Sequence, residues 1–134
     1  MKISIFVFVP FILSACSPKA EFIPENEILK SATVGVPYFF KVNILGGGVL
    51  REAERKAGQV MPYDAGIYVQ NCQMPAWRIT EKTKDTKDHN CVEIYGTPTK
   101  AGIIKITLSE GMHGNMYFSG NHFHKEYTLQ VNNP

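Results

Sequence analysis

The chain has 134 residues, 44% of them hydrophobic and 19% charged, with 14 basic and 12 acidic side chains and a formal net charge of +2. That length suits one domain built on a single core. A balance so close to neutral, with the basic residues scattered, argues against the electrostatic footprint of a nucleic-acid-binding protein.

At the N-terminus, Lys2 precedes an apolar run over residues 3–13, and small residues lead from there to Cys16. A charged end, a short apolar middle and a small-residue zone make the layout of a cleaved secretory signal; a buried apolar strand is the competing reading. The run falls short of the about 20 residues a membrane-spanning helix needs. Leu13-Ser14-Ala15-Cys16 resembles the lipobox of bacterial lipoproteins. The resemblance implies a signal peptide over residues 1–15 and acylation of Cys16, palmitate included, as the first residue of the mature chain. Several acyl chains hold far more firmly than one, since each buried methylene adds about 0.8 kcal/mol. Ser17 follows the cysteine, and similarity to enterobacterial lipoproteins then implies an outer-membrane protein facing the periplasm. Cleavage leaves 119 residues with 13 basic and 12 acidic side chains.

Three cysteines are odd for a secreted protein and ask for an explanation. With Cys16 assigned to lipid, Cys72 and Cys91 remain. In an oxidising compartment they are expected to close a disulfide; two reduced, buried thiols are the alternative. No further cysteine stands at zinc-ligand spacing.

Residues 16–30 read as a lipid-anchored tether, with Ile28-Leu29 a first edge strand, and residues 31–134 as the folded domain. Tyr38, Phe40, Val42 and Ile44 alternate with Lys41 and Asn43, which predicts a half-buried strand opened by Gly35 and Pro37 and closed by Gly46-Gly47-Gly48. Leu50, Ala53 and Ala57 fall at helical spacing, so a short helical insertion is expected over 49–59, stopped by Gly58. The glycine run lacks the spacing of a phosphate-binding loop. Strands are expected over 66–72, 91–95, 103–109 and 123–131, with a solvated loop over 81–90 and a turn over 96–102. Six or seven short strands with no βαβ rhythm predict an all-β antiparallel sandwich.

Met74-Pro75-Ala76-Trp77-Arg78-Ile79, residues 94–102 (Ile-Tyr-Gly-Thr-Pro-Thr-Lys-Ala-Gly) and residues 127–131 (Tyr-Thr-Leu-Gln-Val) together resemble bacterial Ig-like domains and the related dystroglycan-type cadherin-like domains. The resemblance covers about residues 31–132 and implies an Ig-like sandwich. The motifs are structural, so fold transfers better than activity. Residues 46–63 are longer than a plain hairpin of that family, the cysteine pair is no family requirement, and the acids that bind calcium in cadherin-like domains are not evident. Trp77, the lone tryptophan, is expected between the sheets.

One stretch carries metal-ligand chemistry. His122 and His124, two apart, share a strand face; His113 approaches them across a hairpin, and Met112 and Met116 are soft ligands suited to cuprous copper. A copper or zinc site at His113, His122 and His124 is therefore one reading. No nucleophile elbow, zinc-protease motif or spaced pair of acids is present, and the His89 region with Asp85 and Asp88 reads as a polar loop, so no enzyme, catalytic residue or cofactor is expected. The leading expectation is a lipid-anchored Ig-like domain that binds another protein: an envelope component, or a toxin or hydrolase that it neutralises as an inhibitor or immunity protein. Its recognition surface would lie on the edge insertion. A structural spacer is the third reading.

Overall fold

Alternation of apolar and polar side chains needs two sheets to hide its apolar faces, and the computed structural model provides them. It describes residues 20–49, 57–112 and 121–134. The expected signal, Cys16, most of the helical insertion (50–56), His113 and Met116 lie outside the described residues. Eight strands are described: β1 (Glu21–Ile23), β2 (Ala32–Thr33), β3 (Tyr38–Leu45), β4 (Gln59–Met61), β5 (Ile67–Gln73), β6 (Lys87–Gly96), β7 (Gly102–Met112) and β8 (Asn121–Asn132). One sheet has the order β1-β3-β6-β5 and the other β2-β8-β7-β4. All pairings are antiparallel except β2 with β8. Among the described residues the helical content is one 3-10 turn, Ala76–Arg78.

The core takes one face from each sheet: Val42, Ile44, Val92, Ile94 and Ile67 from the first, and Ile104, Ile106, Leu108, Tyr127, Leu129 and Val131 from the second, all buried. Burying one such aliphatic side chain contributes roughly 1.5–3 kcal/mol. The register fixes two ends. Glu21 lies opposite Leu45, and Gln73 opposite Lys87, at the end where the described chain enters. Gly96 pairs with Tyr38 and with Ile67, and Gly102 with Val131, at the far end.

Three expectations change. The segment read as a tether is built into both sheets from Ala20 on. Glu21–Ile23 pairs with β3, Leu29 N donates to Thr128 O at 3.0 Å, and Thr128 N donates to Glu27 O at 2.7 Å. Tyr127 Oη donates to Pro24 O at 2.7 Å, and the Phe22 ring meets Phe123 edge-on at 5.3 Å. Ile28 forms an isolated bridge to Thr128, while the edge strand proper is Ala32–Thr33. The loop expected over 81–90 ends earlier, because Lys87 already begins β6. Of the helix expected over 49–59, the described end is not helical: Gln59 opens β4, while Val49 and Ala57 are buried.

The far end shows why Gly-Thr-Pro is needed there. Gly66 and Gly96 have φ of +84° and +126°, and a Cβ on either would collide with backbone carbonyl oxygen, of Thr97 and of Gly66 respectively. Pro98 is fully buried; its O accepts from Gly35 N at 2.9 Å, while Thr99 N donates to Ala65 O at 3.0 Å. Three turns are thereby locked together.

Candidate functional site

Both β4 and β5 are the last strands of their sheets, and an open cleft of about 890 Å³ runs between these edges. Gly58, Gln59, Val60, Met61 and Tyr63 line one wall, with Thr107 and Ser109 behind them; Ile67, Tyr68, Val69 and Tyr95 line the other. Gly58 sits against Leu108 and the Thr107 carbonyl so closely that a Cβ would overlap both, and this brings β4 down onto β7.

The tyrosine wall continues onto the outer face of the first sheet. Register places Phe39 opposite Tyr95 and Tyr95 opposite Tyr68, three aromatics in one row across β3, β6 and β5. The Tyr68 and Tyr95 rings lie 5.9 Å apart, tilted at 41°. Phe39 is 60% exposed, Tyr68 54%, Met61 52% and Tyr63 81%. The next row is polar: Lys41, Glu93 and Gln70, with Gln70 Nε2 donating to Glu93 Oε2 at 2.9 Å. On the opposite flat face of the sandwich, Lys105 Nζ donates to Thr128 Oγ1 at 2.8 Å and lies 3.6 Å from Glu126, and exposed Gln130, His122 and His124 follow along β8. The outer face of the second sheet is thus mainly polar, with Ile103 opposite Gln130 and Met61 opposite Lys105 as its exposed apolar residues, whereas the first sheet carries a row of aromatics of the kind that marks interaction surfaces. Next to Tyr63 in the chain, Asp64 lies 3.0 Å from Lys100 Nζ, which holds that carboxyl below its ordinary value.

Cys72 and Cys91 form a disulfide with Cα atoms 5.3 Å apart. It ties β5 to β6 where their register shifts between Asn71 and Cys72. Trp77 is not between the sheets. Pro75 starts a tight turn, with Arg78 N donating to Pro75 O at 3.0 Å, and that turn follows β5 outside the core; Trp77 is 82% exposed. His122 and His124 lie opposite Gly111 and Ser109 and are exposed. Among the described residues no three of His, Cys, Asp and Glu gather as a metal site. His89 Nε2 lies 2.7 Å from Asp85 Oδ2.

Asn90, within the stretch expected as a solvated loop, pins the base of the insertion. Its Nδ2 donates to Ile44 O at 2.9 Å and to Gly47 O at 2.6 Å, and its Oδ1 accepts from Val49 N at 3.1 Å. Asparagine opposite a glycine run was the available signal, although only the fold supplies the register.

The chain matches no family model, no curated protein and no solved structure. Among the described residues no helix is long and apolar enough to cross a membrane.

Proposed function

We propose that this protein is a bacterial lipoprotein, cleaved before Cys16, acylated there and carried on the outer membrane facing the periplasm, whose Ig-like domain binds another protein through the cleft between β4 and β5. The observation that carries the reading is the aromatic row Phe39–Tyr95–Tyr68 running into a cleft flanked by two sheet edges. Sheet edges offer backbone donors and acceptors to an added strand, and neighbouring side-chain pockets then supply specificity. The partner segment is therefore extended polypeptide with apolar side chains, from an envelope component or from a toxin or hydrolase that the domain neutralises. Tyrosines suit such a role because each offers a large rigid surface with a polar tip.

The test is capture from envelope extract by the full-length protein and by a Tyr63→Ser/Tyr68→Ser variant. A specific protein retained by the former and lost with the latter, while a Gln130→Ser variant keeps it, is the expected result. Equal retention by all three, or no retained protein, contradicts the proposal.

A further inference from the structure

Two corners of the sandwich lie at the end where the described chain enters. Ala20 precedes β1 at one corner, and residues 74–86 leave β5 at the other, closed by Met74 N donating to Thr86 O at 2.8 Å. Across the sheet order β1-β3-β6-β5 these corners are three strand spacings apart, about 14 Å. On the second corner stands Trp77, the only tryptophan of the chain and 82% exposed. Arg78, Lys82, Lys84 and Lys87 are exposed around it. Of the three interleaved acids, Glu81 is exposed, Asp85 accepts from Lys87 N and contacts His89, and Asp88 accepts from Asn90 N and lies 3.9 Å from Arg78. Four basic side chains against three acidic ones leave this corner with a small positive excess.

Cys16 stands four residues before Ala20, a reach of at most about 14 Å. We propose that this end of the sandwich lies on the phospholipid bilayer, with the Trp77 indole among the headgroups and Lys82, Lys84 and Lys87 against lipid phosphates. The inference rests on the acylation of Cys16 proposed above. A leash so short cannot lift the domain clear of the surface. Tryptophan prefers the interface between hydrocarbon and water, and lysines favour an anionic leaflet. The domain then stands on its end, with the Gly96–Gly102 turn and Pro134 pointing away.

Because the chain has a single tryptophan, its fluorescence reports Trp77 alone. The test uses full-length acylated protein mixed with vesicles of phosphatidylethanolamine and phosphatidylglycerol, with flotation as a parallel readout. The expected result is flotation with the vesicles, a blue shift of the emission, loss of most of its intensity to lipids brominated near the headgroup, and weaker loss for Lys82→Glu/Lys84→Glu. Flotation with water-like emission that iodide still quenches overturns the docking while leaving the anchor intact. Failure to float overturns both. Bromolipid quenching that the charge variant leaves unchanged overturns the part assigned to the lysines.

Discussion

Tyr127 and Tyr38 are buried aromatics whose hydroxyls each donate to a backbone carbonyl, of Pro24 at 2.7 Å and of Lys30 at 2.8 Å. Burial pushes both phenols up from 10.0 to about 12. The folded state therefore holds protons that the unfolded chain has released, so the stability they contribute is complete below pH 10 and is lost as pH rises towards about 12. Tyr127→Phe should cost about 0.5–1.5 kcal/mol at neutral pH and flatten that alkaline loss, measured by urea unfolding across the pH range. Asn90→Ala removes two donated hydrogen bonds and one accepted one from the base of the insertion, and should cost about 1–3 kcal/mol in the same assay, because the part-buried Ile44 O and Val49 N lose their partner. Glycines separate in a similar way. Gly35 has φ of +78° with open space beside it, whereas Gly96 has both positive φ and a carbonyl in the way. Gly35→Ala should therefore cost about 1–2 kcal/mol from backbone strain alone, and Gly96→Ala distinctly more, as thermal melts of the two variants will show.

At the scale of elements, the disulfide holds β5 and β6 together between the Trp77 turn and the aromatic row. Closing a chain segment of that length limits the unfolded state by about 3 kcal/mol in the chain-entropy account. Reduction, or the pair Cys72→Ala/Cys91→Ala, should lower stability by about that amount in denaturant titration. The long strands were legible in the sequence because a half-buried sheet enforces a period of two. Tyr38, Val42 and Ile44 on β3, Ile104, Ile106 and Leu108 on β7, and Tyr127, Leu129 and Val131 on β8 all face inward as the alternation predicts. Short or polar strands carry no such signature. Glu21–Ile23 has three residues and runs into Pro24, and Lys87–Asn90 is polar on both faces. Trp77 misled because a lone tryptophan ordinarily fills a core, whereas here the tight turn after Pro75 turns it out. The cleft could not be read from the sequence at all. Phe39, Tyr68 and Tyr95 lie far apart along the chain, each at an outward position of its own strand, and only strand register brings them into one row.

The whole molecule has two ends and two outer faces, and the cleft between β4 and β5 opens along its side. Along β3, Phe39 stands six residues from Leu45, which puts the aromatic row roughly 20 Å from the end where the described chain enters. With Cys16 acylated, the membrane would hold one end and the cleft would open above it, within reach of a partner in the periplasm. The segment from Gly46 to Tyr63, longer than the resembled family's hairpin, leads into β4 and contributes Met61 and Tyr63 to the cleft wall. This joins the edge insertion noted in the sequence to the surface that the fold exposes. The most direct measurement is site-specific photocrosslinking in cells that carry the gene, with a photoreactive phenylalanine analogue at position 68 in the cleft or at position 130 on the polar face. A discrete protein adduct from position 68 that is absent from position 130 is the predicted result; adducts of equal strength from both positions, or none from position 68, would contradict a partner bound at the cleft.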